Sequence, residues 1–219
     1  MTDLASLAST LDRPGGDLRL RCLSLLHGAA MISRFDAASE LIGLGLERDV
    51  TFAEMEETAL QLVAYGGFPR AIELLTLIAE RRPTPAVTEA EAPGKISETL
   101  AAGRTVFVQV YGDNAEKVLA GLDQLLPGFA PLVLESAYGR LLARPQIPLG
   151  ERELLAVAAL GLAALAAPLG SHIRGALLNG VPPGAVQDTL HTCNVLADHR
   201  ARPVIAQALD RIERKVYSR

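Results

Sequence analysis

His172, Arg174 and Glu153 are the residues of this 219-residue chain whose types and spacing could do chemistry together. The imidazole and the guanidinium lie in residues 171–177, near the start of a predicted helix, where the helix dipole favours an anion. Glu153 lies in the first turn of the preceding helix, and antiparallel packing at about 8–10 Å would bring it level with His172. A carboxylate beside an imidazole fixes its tautomer, as general acid–base catalysis requires. A capping carboxylate and a hydrogen-bonded interface histidine would explain the same spacing.

The composition predicts that helices position these residues. Hydrophobic residues make up 49% of the chain and aromatic residues only 4%, and there is no tryptophan. Leu and Ala are strong helix formers, whereas an all-β sandwich would contain more β-branched and aromatic residues. The mean hydropathy of +0.24 argues against an extended disordered chain. The net charge of −4 argues against a surface built to bind nucleic acid. We therefore predict an all-α fold and no nucleic-acid partner.

The chain matches itself without a gap at a constant offset of 131 residues, at which Arg13-Pro14 faces Arg144-Pro145. The same offset pairs Leu18 with Leu149, Arg21 with Arg152, Ile42 with Ile173 and Thr58 with Thr189. We interpret this as two copies of one helical unit, each with three helices after its Arg-Pro step. The predicted boundaries are residues 1–82 for the first unit, 83–105 for a linker and 106–219 for the second unit.

Local signals fit this division of the chain. Thr51 and Glu54 form a capping-box pattern, and Asn179-Gly180 is typical of a helix end. Three prolines between residues 83 and 93 are typical of a solvated linker. Residues 106–126 are predicted as one or two helices, although residues 106–110 would also suit a short strand.

Weaker sequence signals bear on the cellular compartment and on whether a segment spans a membrane. The N-terminus shows no basic segment before an apolar stretch, and the two cysteines are far apart, which is typical of a cytoplasmic protein. The longest uncharged run, residues 154–171, is near the lower limit for a membrane span and contains Gly161 and Pro168. We predict a buried core helix there and no membrane partner.

The run YGRLLARPQIPLGERELLAVAAL followed by SHIRGALLNGV resembles the carboxymuconolactone decarboxylase and AhpD-like alkylhydroperoxidase superfamily. The first copy carries another mark of that family in Tyr65-Gly66-Gly67-Phe68-Pro69, at the predicted start of its last helix. The resemblance covers most of both copies. It implies two AhpD-like multi-helix units in tandem, related by a pseudo-twofold axis. It also implies a homo-oligomer, a trimer that imitates a hexamer of single units.

The peroxidase branch of that family uses a Glu, a C-x-x-C pair and a His as a proton relay. Glu153 and His172 match the Glu and the His, but Leu165 and Pro168 occupy the cysteine positions. A thiol peroxidase needs a thiolate as its nucleophile, so this mechanism is disfavoured. Outside the motif, Cys22 and Cys193 are predicted to be small buried hydrophobic residues.

The decarboxylase branch fits the second copy better, because His172 could deliver a proton while Arg174 or Arg152 holds substrate carboxylates. The first copy has Leu41 in place of that histidine. A composite site would therefore take His172 and Glu153 as catalytic residues from one copy and Tyr65 and Phe68 from the other. Arg174, Arg152 and Tyr138 complete the predicted substrate-binding set, with no metal and no cofactor.

The resulting functional prediction is an acid–base lyase acting on a small carboxylated molecule. Two alternatives remain open at this stage. One is a non-catalytic helical oligomerisation module, and the other is a peroxide-reducing protein.

Overall fold

The computed structural model describes residues 4–83 and 96–217, and all regular structure in these residues is helical. The all-α prediction is therefore confirmed. The helices are α1 (Leu4–Leu11), α2 (Leu18–Met31), α3 (Phe35–Leu46), α4 (Phe52–Glu80), α5 (Ile96–Tyr111), α6 (Ala115–Leu125), α7 (Phe129–Val133), α8 (Leu149–Leu162), α9 (Ala166–Leu178), α10 (Pro183–Cys193) and α11 (Ala201–Tyr217). A 3₁₀ turn (Gly112–Asn114) precedes α6, and a π-helical segment (Leu134–Leu142) follows α7.

Helix starts in the two halves of the chain correspond at the offset seen in the sequence. Helices α2, α3 and α4 begin at Leu18, Phe35 and Phe52. Helices α8, α9 and α10 begin at Leu149, Ala166 and Pro183, each 131 residues later.

Two of the predicted helix-end signals are present in the structure. The Thr51 side chain accepts a hydrogen bond from the Glu54 amide, and the Glu54 carboxylate accepts one from the Thr51 amide, which completes the capping box. After α9 ends, Gly180 adopts a φ of 82°, a left-handed conformation that glycine takes without steric penalty.

Helix α4 is broken at Gly67, whose φ of 78° and ψ of 171° interrupt the helical path. The sequence predicted a helix start at this motif, and Pro69 indeed opens the second half of α4 two residues later. On this second half Phe68 and Ile72 are exposed, so the break turns an apolar face towards solvent.

The predicted linker is wrong over residues 96–105, which belong to helix α5. Residues 106–110 are also helical, so the possible strand is not formed there. Helix α5 crosses the π-helical segment so closely that a Cβ at Gly103 or Gly139 would collide with backbone atoms of the facing helix. Packing against that segment stabilises α5. These tertiary contacts outweigh the local β propensity of residues 106–110, which are therefore helical. Residues 84–95 of the predicted linker lie outside the described residues.

Helices α2 and α8 pack against each other at the centre of the protein and are buried along most of their length. The uncharged run predicted as one core helix divides here, because α8 ends at Leu162 and α9 begins at Ala166. Among the described residues, α4 is long and apolar enough to cross a membrane. The bent pair formed by residues 96–125 and 129–142 passes the same test when it is counted as one span.

Charged residues of the two halves pair reciprocally. Arg144 and the fully buried Arg152 donate to Glu57, at 2.7 and 2.9 Å. Arg13 and the buried Arg21 likewise donate to Asp188, and the Arg21 Nε–Asp188 Oδ2 distance is 2.7 Å. The three residues of one cluster each lie 131 residues from their counterparts in the other. Each half of the chain therefore neutralises the buried arginine of the other half.

Candidate functional site

Helices α8 and α9 bring Glu153 and His172 together, as the sequence predicts. His172 Nδ1 lies 2.9 Å from Glu153 Oε2, the carboxylate is fully buried, and the imidazole residue is 6% exposed. Gly175, one turn after His172, makes this approach possible, because a Cβ at that position would collide with Glu153 Oε2. The two helices can therefore hold a dry carboxylate–imidazole pair.

This hydrogen bond decides which imidazole nitrogen is available for chemistry. An ionised carboxylate only accepts hydrogen bonds, so Nδ1 of His172 carries the proton in the contact with Glu153. Nε2 is then the nitrogen that can take up or deliver a proton. The other carboxylate oxygen, Glu153 Oε1, is buried without a hydrogen-bond partner among the described residues. Such a group indicates a place for a water or ligand donor.

Tyr65, from the first half of the chain, lies between two histidines. Its ring centroid is 5.5 Å from that of His172 and 5.6 Å from that of His27, with edge-on geometry in both contacts. The predicted meeting of Tyr65 with His172 is thus present in the structure. The third ring, His27, belongs to α2 and was not expected from the sequence.

His27 contributes a second buried acceptor to this region. Its Nδ1 lies 2.9 Å from the Leu155 carbonyl oxygen, to which it can only donate. Burial lowers the pKa of His27 to about 4, so the ring is neutral at pH 7. Its Nε2 therefore keeps a lone pair, and this atom is buried without a partner among the described residues. The signal in the sequence was a single histidine within an apolar helix.

The buried histidine makes the stability of the fold sensitive to pH. The unfolded chain binds a proton at His27 near pH 6.5, whereas the folded chain does so only near pH 4, so acidification favours unfolding. We expect His27 to remove about 3 kcal/mol from the free energy of unfolding between pH 6.5 and pH 4. Denaturant titrations at several pH values measure the free energy of unfolding. Between pH 6.5 and pH 4 this free energy should fall less steeply with decreasing pH in His27→Gln than in wild type. The exposed His199→Gln is the control, and equal slopes in His27→Gln and wild type would contradict this assignment.

Three tyrosines add hydrogen-bond donors to the site. The Tyr138 and Tyr111 hydroxyl oxygens lie 3.3 Å apart, and both rings pack against Phe107. Burial raises the pKa of Tyr65, Tyr138 and Tyr111, and the negative charge of Glu153 raises each of them further. The three hydroxyls therefore stay protonated at neutral pH. The Tyr138 hydroxyl donates to the Tyr111 oxygen, which leaves the Tyr65 and Tyr111 hydroxyls to donate to an anionic oxygen.

The structure places the other predicted substrate-binding residues away from this pair. Arg152 is fully buried and each of its guanidinium nitrogens already donates, to Glu57, Gln61 and backbone carbonyls. Arg174 lies two residues after His172 on α9, and residues two apart on a helix project about 200° apart. Arg174 therefore points away from the Glu153 contact and is exposed. Phe68 is 69% exposed beyond the break in α4.

Both cysteines are poor candidates for chemistry. Cys22 and Cys193 are buried and free, and burial raises the pKa of each thiol to about 12. Each would be protonated at neutral pH and so would lack the nucleophilic thiolate. Over residues 4–83 and 96–217, the structure contains no group of three or more His, Cys, Asp or Glu residues that could hold a metal ion.

No protein-family model matches the chain. The chain is similar to a curated protein named Peroxisomal protein 2 from Schizosaccharomyces pombe, with 29% identity over 132 residues. The match covers 59% of this chain and 62% of that relative. The similarity therefore spans less than two thirds of the relative's length.

Proposed function

We propose that the chain is a carboxymuconolactone decarboxylase-like protein made of two AhpD-like units in tandem, related by a pseudo-twofold axis. The equal spacing of the helix starts supports the duplication. The reciprocal pairing of Arg144 and Arg152 with Glu57, and of Arg13 and Arg21 with Asp188, supports the axis. A twofold contact uses the same surface of both partners, which produces this reciprocity.

The proposed activity is that of an acid–base lyase with a composite site. The observation that carries it is the 2.9 Å contact between His172 Nδ1 and the buried Glu153 carboxylate. Tyr65 of the other unit packs against the same imidazole, so both units contribute to one site. A carboxylate that fixes one imidazole nitrogen and leaves the other available is a standard arrangement for proton transfer.

Decarboxylation of a lactone gives these residues defined tasks. The bond between the ring carbon and the carboxylate carbon breaks, carbon dioxide leaves, and the electron pair forms a dienolate. His172 in its protonated form delivers the Nε2 proton to the carbanionic carbon and is then reprotonated from water. Glu153 stabilises the imidazolium before the transfer and holds its orientation.

Tyrosine hydroxyls replace the predicted arginines as donors to the substrate. Because Arg152 is bound to Glu57 and Arg174 is exposed, a substrate oxygen near His172 would meet Tyr65, which packs against the imidazole. We assign a second donor to Tyr111, whose oxygen accepts from Tyr138 and whose own proton remains for the substrate. Neutral phenol hydroxyls donate hydrogen bonds to the oxygen on which negative charge develops. We therefore propose that a small carboxylated substrate is held by hydroxyl donors and by the imidazolium.

The test is release of carbon dioxide from carboxylated lactones and β-keto acids by the wild-type protein and by His172→Gln. We expect turnover by the wild type and a loss of about 100-fold or more in kcat/KM in the variant. His191→Gln, an exposed histidine on α10, is the matched control. Absence of turnover on the whole substrate panel, or full activity in His172→Gln, would contradict the proposal.

A homo-oligomer and a cytoplasmic location complete the proposal. The exposed apolar residues Phe68 and Ile72 on α4 suit contact with a second copy, and the expected assembly is a trimer. The similar yeast protein carries a peroxisomal name, so the compartment is best tested by imaging a fluorescent fusion alongside a peroxisomal marker.

A further inference from the structure

A groove lies on the opposite face of α9 from the Glu153 contact, between α9 and α11. It is a groove of about 380 Å³, within the range of about 300–1,000 Å³ typical of small-molecule sites. Its walls are mainly aliphatic and include Leu169, Ile173, Leu177, Val204, Ala208 and Ile212. The groove can therefore bury an extended apolar chain.

Basic side chains line the same groove. Arg174, Arg211 and Arg214 are among its lining residues, and no carboxylate of the described chain is. Arg174 and Arg211 are exposed, and neither forms an ion pair with a described residue. Most other arginines of the described chain are bound to a carboxylate. The groove thus combines an apolar wall with the guanidinium groups of Arg174 and Arg211.

We propose that this groove binds a single-chain aliphatic carboxylate, with the alkyl chain along α9 and α11 and the carboxylate at Arg174 and Arg211. Guanidinium groups form charge-assisted hydrogen bonds with carboxylates, and the aliphatic walls remove the alkyl chain from water. A second copy of this protein is a poorer occupant. A twofold contact through this face would bring the arginines of both copies together.

This ligand site is independent of the lyase proposal, because the His172 imidazole and the groove residues project from different faces of α9. Arg174, which the sequence placed in the substrate site, has its role here instead. The ligand is identified by its two parts, an apolar chain and an anionic head, and both parts can be varied separately in an experiment.

The chain offers a variant that fills the groove without removing any contact. Gly170 lies on α9 in the groove wall, and a Cβ built there meets no atom within 4 Å. Gly170→Leu would occupy the space of the alkyl chain and would also favour the helix, since Gly is a weaker helix former than Leu. Gly121→Leu is the matched control, because Gly121 also has open space around its Cβ and lies on α6, outside the groove.

The experiment is isothermal titration calorimetry of the full chain with dodecanoate below its micelle concentration, and with dodecanol as the uncharged probe. We expect wild type and Gly121→Leu to bind dodecanoate with equal affinity. The affinity of Gly170→Leu for dodecanoate should be at least about tenfold lower. The affinity of the double variant Arg174→Gln/Arg211→Gln for dodecanoate should be about tenfold lower than that of wild type. Its affinity for dodecanol should be unchanged.

Three results would overturn the proposal. One is the absence of dodecanoate binding to the wild type, and another is unchanged dodecanoate binding in both groove variants. The third is a groove that mediates self-association, seen in sedimentation velocity as loss of the oligomer in Gly170→Leu but not in Gly121→Leu. Circular dichroism on each variant shows that a lost affinity does not come from unfolding.

Discussion

Glu57→Gln is expected to lower the free energy of unfolding by about 3–5 kcal/mol, because it leaves a buried guanidinium without a counter-charge. Arg152 is fully buried and Glu57 is 6% exposed, so water cannot replace the lost carboxylate. Burial alone would raise the pKa of Glu57, but the hydrogen bonds from Arg144 and Arg152 outweigh it and the pKa is lowered. The carboxylate is therefore ionised in the folded protein at neutral pH.

Thermal and denaturant unfolding would measure this loss, and the melting temperature should fall by roughly 10 °C. Asp188→Asn is the matched control from the other half. Its carboxylate is 20% exposed, so water can partly replace it, and the expected loss is smaller, about 1–2 kcal/mol. The pair Glu57→Met with Arg152→Met should recover part of the lost stability, because it removes the buried guanidinium together with its counter-charge. Gln61 and two backbone carbonyls lose the donors that Arg152 supplied, so the recovery is incomplete. Equal losses in Glu57→Gln and Asp188→Asn would show that burial does not govern these contacts.

Glu153→Gln should lower kcat by about 100-fold or more while leaving the fold intact. The amide oxygen can still accept a hydrogen bond from Nδ1 of His172, so the tautomer is kept. The variant lacks the negative charge that stabilises the His172 imidazolium. The imidazole therefore holds the Nε2 proton less readily before the transfer. Because Glu153 is fully buried with one oxygen unpartnered, replacing its charge with a neutral amide should not lower the melting temperature.

The measurement for Glu153→Gln is the decarboxylation assay together with thermal unfolding of the same preparations. Glu151→Gln is the control, since this carboxylate lies two residues earlier on α8 and binds Arg19 near the surface. A variant that keeps its kcat would mean that the carboxylate only packs the core. A variant that loses activity and stability together would leave Glu153 in a structural role.

The helical framework was predictable because its signals are local. The capping box at Thr51 and Glu54 and the helix end at Asn179-Gly180 depend on residues within one turn, and both are present. The helical state of residues 106–110 was not decided by local propensity, because these residues pack against a distant π-helical segment. The linker boundary was misplaced for the same reason.

The geometry of the candidate site was predicted where sequence spacing reflects helix geometry. Glu153 and His172 meet because α8 and α9 are antiparallel neighbours, and the spacing indicated this. Arg174 was misplaced because nearness in sequence is not nearness on a helix surface. His27 and Tyr111 were missed because they reach the site from helices that are distant in the chain, so only tertiary packing shows their position.

The reciprocal arginine pairs constrain how the proposed duplicate halves can diverge. A substitution that removes the carboxylate of Glu57 or Asp188 leaves a buried arginine of the opposite half without its counter-charge. Either position therefore needs a matching substitution in the opposite half. No such bond links the proposed catalytic positions. At the offset of 131 residues, His172 and Glu153 correspond to Leu41 and Cys22. If the proposed duplication holds, the reciprocal pairs would preserve the symmetry between the halves while the proton-transfer residues are kept in the second half only.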